Sequence, residues 1–324
     1  MTEVSVAFIC DRSYVLPAGV AVTSLICNRK PDTVYDIYII ASDLTQADIA
    51  IFREFTKPDV KIHIIEASSA KYRHAGHFGH VSTATYLKFD LPDLLLDLDK
   101  VLYLDGDVII QNDLAELFNT NIENYSAAAV RDIGLIQNVL NIKNYFNTGV
   151  LLLNLKGLRK QRASAALMET VTSAKDIHFM DQDCFNIVLK DSVKHLPLRF
   201  NCPCQFLRQH KNIYPLEFIN KTFKADYASW QALKQDAVIV HWITHTKPWL
   251  YHDVVLARRW DEYFHPSPFH DSLLKRRSVK LYAFIASRRL TNLVYIFFCY
   301  WRHRGIKFSL QKAKIRLMRP LQRG

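Results

Sequence analysis

Three things are missing from this 324-residue chain, and each removes a class of protein. No glycine-rich phosphate loop follows the first strand-like segment, which argues against a dinucleotide-binding dehydrogenase. No uninterrupted apolar stretch approaches the roughly 20 residues that span a bilayer. The six cysteines show no paired zinc spacing: Cys202-Pro203-Cys204 is too tight for a zinc knuckle and has no partner pair, while Cys10, Cys27 and Cys184 sit in apolar surroundings and read as buried thiols. A reducing cytoplasm fits that usage. The chain opens Met1-Thr2-Glu3 and enters a strand-like segment at once, without a basic leader, so no cleavable signal is expected. Internal repeats and low-complexity linkers are absent as well.

Acidic residues are scarce in one place only. From 271 to 324 there are fourteen Lys/Arg and one acid, Asp271, whereas residues 1–270 carry 28 Lys/Arg against 30 Asp/Glu. The net charge of +11 therefore belongs to the tail. A nucleic-acid enzyme would line its body with positive charge too, and this one does not. With 49% hydrophobic residues, one large α/β domain over residues 1–265 and an appendage over 266–324 is the expected organisation.

What is present starts with Lys100-Val101-Leu102-Tyr103-Leu104-Asp105-Gly106-Asp107-Val108-Ile109-Ile110. The apolar run reads as a strand covered on both faces, and its charged end lies at the carboxyl edge of a sheet, where open α/β sheets bind ligands. Alternate residues of an extended segment face one side, so Asp105 and Asp107 can converge on one cation, and Gly106 lets a phosphate or sugar approach the backbone. An ordinary Asp-Gly turn between two strands would read the same way.

A second apolar run, Ala237-Val238-Ile239-Val240, ends on His241 and continues to Thr244, Lys247, Pro248 and Trp249. A neutral imidazole beside two carboxylates makes a mixed N/O site suited to Mn²⁺, with Mg²⁺ as the second choice. Lys247, held by the rigid Pro248, would serve as a point charge on a phosphate. By itself, His241 reads more readily as a satisfied histidine than as a ligand, and the Asp-Gly-Asp strand end turns that balance. Strand-end ligands of this kind are expected to add little to the core, so their removal should leave the fold intact.

Around these motifs, residues 4–9, 34–41 and 60–65 read as strands, separated by helices at 17–28 and 44–55, the second behind the capping-type Ser42-Asp43. This βαβαβ alternation predicts a right-handed, mostly parallel sheet with nucleotide across its carboxyl edge. Asp11, Ser13 and Tyr14 stand at the end of the first strand. Residues 83–89 turn helical and carry Lys88, residues 127–130 lead to Arg131-Asp132, residues 146–155 form another core strand, and residues 161–173 are a plausible amphipathic helix.

The ordered set of strand-Asp-Gly-Asp-strand, Asn147-Thr148-Gly149-Val150-Leu151-Leu152-Leu153-Asn154-Leu155, Asp181-Gln182-Asp183 and His241-x5-Lys247-Pro248-Trp249 resembles the family 8 retaining glycosyltransferases, particularly bacterial lipopolysaccharide and lipooligosaccharide galactosyl- and glucosyltransferases. It runs from about Val4 to Trp249. The resemblance implies a GT-A fold, a UDP-hexose donor, and Mn²⁺ held by Asp105, Asp107 and His241. It assigns Asp11, Ser13 and Tyr14 to the nucleoside, and Lys88, Asn147, Asp181 and Gln182 to the donor sugar or reacting centre. Asp132 is implied as a donor or acceptor contact, and the Thr244 backbone as part of the diphosphate loop.

The catalytic set expected on this ground is Gln182, Asp181 and Asp132, with Asp105, Gly106 and Lys247 on the diphosphate. Three departures stand out: Lys88 where arginine is usual, Thr148 where a smaller residue is common, and Thr244 where glycine is usual. Lys88 also reads as a solvated helix lysine, and Asp181 and Asp183 also read as helix caps.

Beyond Pro266-Ser267-Pro268, residues 273–285 and 293–301 are aromatic and aliphatic clusters flanked by Lys and Arg. The run 293–301 suits an interfacial helix, its aromatics at headgroup level and its cations on anionic lipid, at about 1 kcal/mol per basic residue. A solvated charged tail is the alternative. The resulting expectation is a hexosyltransferase at the cytoplasmic face of the inner membrane, acting on a lipid-linked oligosaccharide. A non-catalytic nucleotide-sugar-binding protein and a GT-A transferase acting on another glycan are the other readings. The residues leave open galactose against glucose, the acceptor linkage, the oligomeric state, and front-face attack against double displacement.

Overall fold

The computed structural model describes residues 1–75, 82–132, 142–173, 177–207, 214–272, 274 and 276–279. Ten strands are β1 (Thr2–Asp11), β2 (Thr33–Ser42), β3 (Val60–Glu66), β4 (Lys100–Leu104), β5 (Val108–Ile110), β6 (Ala127–Arg131), β7 (Phe146–Asn154), β8 (Val193–His195), β9 (Cys202–Pro203) and β10 (Ile239–His241). Seven of them form one sheet in the order β3-β2-β1-β4-β7-β6-β8, and β5-β10-β9 form a second. The pairs β1–β2, β2–β3, β1–β4 and β6–β8 are parallel, whereas β7 runs antiparallel to both its neighbours. This is the mostly parallel α/β sheet expected of the GT-A fold.

Continuous Val, Ile, Phe and Leu explain why the central strands are covered on both faces: from Val4 to Ile9 and from Val101 to Leu104 every residue but Ser5 and Ile9 has no measurable exposure or nearly none, and those two are buried as well. The chain winds from β1 out to β3 and returns on the other side of β1 as β4, so strand order reverses between β1 and β4. A crevice opens at such a switch point. Asp11 ends β1 and Asp105 follows β4, placing both carboxylates at that crevice. The antiparallel β7 then brings its amino-terminal end to the same edge: Leu104 pairs with Val150, and Asp105 N–H donates to Gly149 O at 2.8 Å.

Asp-Gly-Asp is not a hairpin turn. The strands on its two sides, β4 and β5, belong to different sheets, so the motif is the point where the chain leaves one sheet for the other. β5 then pairs antiparallel with β10, which lays His241 against Val108, one residue beyond Asp107.

The helix Val15–Cys27 follows β1 and is buried along nearly its whole length, from Val15 to Leu25. Its Gly19 lies under the Phe269 ring, where a β-carbon would come within 1.9 Å of Cε2. Cys27, expected to be buried, is exposed at the last turn of that helix, while Cys10, Cys184, Cys202 and Cys204 are buried. The helix Gln46–Arg53 is capped by Thr45 and Asp48 in a reciprocal box rather than by Ser42-Asp43. The helix expected over 161–173 is present as Ala163–Ser173, preceded by a short helix Leu155–Lys160.

The chain divides into two compact units, Met1–Lys247 with Val255–Leu273, and Pro248–Val254 with Leu274–Gly324. In the second, Arg277 N–H donates to Leu250 O at 2.8 Å and His252 N–H to Arg277 O at 3.1 Å. The interfacial segment expected at 293–301 lies outside the described residues, and among the described residues no helix is long and apolar enough to cross a membrane.

Candidate active site

Asp105, Asp107 and His241 each aim one ligand atom at a common point, with these atoms within 4.8 Å of one another. The loop after β4 supplies the carboxylates and the end of β10 supplies the imidazole. Asp107 and His241 are buried and Asp105 is partly open. His241 Nε2 lies 3.1 Å from Asp107 Oδ1 and 3.9 Å from Asp105 Oδ2. Yet Asp107 Oδ1, fully enclosed, has no hydrogen-bond partner. A buried carboxylate oxygen without a partner costs about 1–3 kcal/mol or more, and a cation between it and the imidazole would satisfy it. The residues present therefore fit a divalent metal, with two carboxylates and one imidazole.

Gly149 makes the space for this cluster. A β-carbon there would lie 2.2 Å from His241 Cε1 and 2.7 Å from Asp105 Oδ2. Gly106 is less constrained, its missing β-carbon 3.1 Å from the Tyr14 ring and 3.3 Å from Ala18 Cβ.

Each metal carboxylate has a lysine beside it. Lys247 donates to Asp107 Oδ2 and to Trp242 O from a buried position. Burial would raise the Asp107 carboxyl, but the Lys247 ammonium and the His241 ring outweigh it and hold the group well below the usual carboxylate range. Lys88, on the 3₁₀ helix Thr83–Asp90, lies 3.1 Å from Asp105 Oδ1 and 2.7 Å from Asp181 Oδ2. It is 3% exposed, so it is not a solvated helix lysine. Burial would lower its pKa, and the Asp105 and Asp181 carboxylates more than reverse that, keeping it charged. Tyr103, two residues before Asp105 on the same face, donates to Asp105 Oδ1 at 2.6 Å.

The Asp181-Gln182-Asp183 triplet opens the helix Met180–Val188, and its members part ways. Met180 sits at φ 45°, a left-handed conformation costing a methionine about 1–2 kcal/mol. Asp183 reaches back to the segment that leads into the helix, accepting from His178 N–H at 2.7 Å and from the N–H of the N-cap residue Phe179 at 2.8 Å. Asp181 is not a cap: it accepts from Lys88, Thr85 Oγ1 and Thr148 Oγ1. The Thr148 hydroxyl, a departure from the expected pattern, thus adds a bond to Asp181 at 2.9 Å.

Gln182 faces the strand edge. Its Oε1 accepts from Asn147 Nδ2 at 2.9 Å and Thr148 N–H at 3.3 Å, and its Nε2 donates to Asp132 Oδ2 and Tyr145 Oη, both at 3.2 Å.

Asp11, Ser13 and Tyr14, the residues expected to hold a nucleoside, share a turn at the end of β1. Asp11 Oδ1 accepts from Ser13 N–H and Oγ and from Tyr14 N–H, a local turn that starts the first helix. Burial first, then Asp107 and Asp105, raise the Tyr14 phenol far above its ordinary value, so it stays protonated. Beside Gln182's partners a cavity of about 230 Å³ opens, walled by Asp132, Asn147, Asn201, Phe206, Phe223 and Thr244. The Thr244 hydroxyl is 2.9 Å from Thr246 Oγ1.

Sequence reasoning missed Tyr103, Tyr145 and Asn201. The i, i+2 spacing of Tyr103 to Asp105 was a readable signal. Tyr145 has the same spacing to Asn147, whereas Asn201 carries no such signal, since it meets His241 only through the pairing of β9 with β10.

Comparison with known proteins agrees with this arrangement. Residues 5–253 match the model of "Glycosyl transferase family 8". General stress protein A of Bacillus subtilis is 26% identical over 79% of this chain and 90% of that protein. A lipopolysaccharide 1,2-glucosyltransferase of Escherichia coli is 25% identical over 74% of this chain and 71% of its own length. Among solved structures, an active-site mutant of LgtC superposes with a TM-score of 0.70 at 23% identity, covering 82% of this chain and 96% of that one, a likeness of fold. With the family model spanning most of the chain, the chain belongs to glycosyl transferase family 8 and is a glycosyltransferase.

Proposed function

We infer that the chain transfers a hexose, galactose or glucose, from a UDP-sugar to a lipopolysaccharide or lipooligosaccharide core acceptor with retention at the anomeric carbon. The observation that carries this reading is the convergence of Asp105, Asp107 and His241, with the enclosed Asp107 Oδ1 lacking a hydrogen-bond partner. Similarity to an Escherichia coli lipopolysaccharide 1,2-glucosyltransferase supports the acceptor class.

In this reading Asp105, Asp107 and His241 hold Mn²⁺ or Mg²⁺, which when bound supplies Lewis-acid neutralisation of the departing diphosphate. Asp11, Ser13 and Tyr14 bind the nucleoside, and the Gly106 and Thr244 backbones approach the diphosphate. Lys247, already buried against Asp107, adds fixed positive charge where the leaving group develops its negative charge. Lys88 holds Asp105 and Asp181 in place while Asp181, Asn147 and Asp132 contact the donor sugar and the acceptor.

Gln182 bears on the route by which retention is reached. Its carbonyl oxygen accepts from both Asn147 and Thr148, so its lone pairs are already committed and a durable bond to the anomeric carbon is disfavoured. Front-face attack through an oxocarbenium-like species then fits better than double displacement. The acceptor enters through the cavity beside Asp132 and Thr244, whose Phe206 and Phe223 offer apolar faces to a sugar ring. The basic tail from residue 266 onward holds the enzyme on anionic lipid at the cytoplasmic face of the inner membrane.

The test is a donor screen with acceptor-free hydrolysis as readout, with Mn²⁺ and with EDTA, followed by NMR of the product anomer. Turnover of a UDP-hexose that EDTA stops, with retained configuration, supports the reading. An inverted product, or nucleotide-sugar binding without turnover, defeats it.

A further inference from the structure

Asn201 sits between the 3₁₀ helix Leu198–Phe200 and β9, at 2% exposure. β9 pairs in parallel with β10, with Cys202 opposite Val240 and Pro203 opposite His241, so Asn201, two residues before Pro203, lies diagonally across from His241. His241 Nδ1 is 2.9 Å from Asn201 Oδ1, and Asn201 Nδ2 donates to Asn147 Oδ1 at 2.8 Å.

The direction of these bonds is set by groups that have no choice. Asp132 only accepts, which turns the Gln182 amide nitrogen toward it. The Thr148 backbone N–H only donates, which turns Gln182 Oε1 toward β7. The Gly149 backbone N–H, also a donor, meets Asn147 Oδ1 at 2.9 Å and fixes that amide. Asn147 Oδ1 in turn requires Asn201 to present its nitrogen there. The Asn201 oxygen is left for His241, and an oxygen at 2.9 Å from Nδ1 demands a proton on Nδ1. That leaves Nε2, 3.1 Å from Asp107 Oδ1 and 3.9 Å from Asp105 Oδ2, as the ring nitrogen that a bound metal would take.

We propose that Asn201 is a positioning residue for the metal centre: its carbonyl oxygen locks the His241 ring and its Nδ1–H tautomer, so that Nε2 is presented as a ligand. Its amide nitrogen at the same time joins the metal centre to Asn147 and so to Gln182. Outer groups that orient a ligating histidine commonly change metal affinity by about 10–100-fold when removed. The proposal rests on the metal reading above.

The test is a Mn²⁺ titration of the full-length protein by calorimetry, on the unmodified chain, Asn201→Ala, Asn201→Asp and His241→Ala. Asn201→Ala should bind Mn²⁺ about 10–100-fold more weakly. Asn201→Asp keeps an acceptor for Nδ1–H and should bind within about threefold of the unmodified protein, while its kcat falls because an oxygen now opposes Asn147 Oδ1. A purely structural role would lower the melting temperature of both variants and leave Mn²⁺ affinity alone. Unmodified affinity in Asn201→Ala, or loss of Mn²⁺ binding in a folded Asn201→Asp, overturns the assignment of Asn201. Binding by the unmodified chain no tighter than by His241→Ala overturns the metal reading itself. Should Asn201→Ala fail to fold, the Asn201→Asp titration decides alone.

Discussion

Gly149 and His241 occupy adjoining space so tightly that one added methyl would lie 2.2 Å from His241 Cε1. The contact joins the start of β7 to the end of β10, elements in two different sheets. Gly149→Ala should push the ring or the Asp105 carboxylate off the common point and weaken Mn²⁺ binding at least as much as loss of an outer-shell group, about 10–100-fold. Calorimetric titration checks it, and unchanged affinity would show that the ring can retreat without cost.

The two metal carboxylates should differ in stability though not in activity. Asp105→Ala and Asp107→Ala, like His241→Ala, are each expected to abolish metal-dependent turnover. Asp107→Ala also strands the buried Lys247 ammonium, and breaking a buried pair from one side costs about 3–5 kcal/mol. The expectation that every ligand substitution spares the fold therefore applies better to the partly open Asp105, since Lys88 retains Asp181 when Asp105 is lost. Urea melts of the two variants test this, and equal midpoints would contradict it.

Gln182→Ala should lower kcat on the order of tenfold to a thousandfold, with a smaller change in donor KM. Near-normal kcat would remove Gln182 from the reacting centre. A glycosyl adduct on Gln182 found by mass spectrometry in the unmodified enzyme would establish double displacement instead.

His195, half-buried at the end of β8, has its pKa lowered to about 4, chiefly by burial and then by the Arg131 and Lys224 cations. The unfolded chain protonates near pH 6.5, so it binds the proton first as pH falls. The stability tied to the neutral ring is present above about pH 6.5 and lost progressively down to about pH 4. Allowing for solvent screening, the loss is about 1–2 kcal/mol. His195→Gln should flatten that stretch of a stability-against-pH curve, and an unchanged slope would place the protonation elsewhere.

Truncation after Phe269 is expected to leave UDP-sugar hydrolysis largely intact and to remove sedimentation with anionic vesicles, because the cations and aromatic clusters lie beyond that point. Salt should weaken full-length binding only in part, as the apolar contribution is unscreened. Equal sedimentation of both proteins would assign the membrane contact to the body.

Strand ends that carry charge were legible because both signals are local. An apolar run announces a covered strand, and an acid or histidine at its end announces the sheet edge; Asp105, Asp107, Asp132 and His241 were all found in this way. Lys88 was misjudged in part for the opposite reason. A lysine on a short helix looks solvated from its neighbours in sequence, and only Asp105 and Asp181, seventeen and 93 residues away, make it a buried counter-ion.

The amino-acid sequence by itself determined the order of strands and helices, the carboxylates that end them, and the one histidine at the close of an apolar run, since these follow from side-chain periodicity over a few residues. Tertiary structure decided the rest. Whether Asp-Gly-Asp was a hairpin turn or the crossing between two sheets depended on β5 pairing with β10 instead of β4. Which amide faces His241 depended on the register of β9 against β10, and which lysine neutralises Asp107 on a contact across 140 residues. A local pattern settles which face of a strand is buried, but which segment it pairs with and which side chains meet across the pair are properties of segments brought together from far apart.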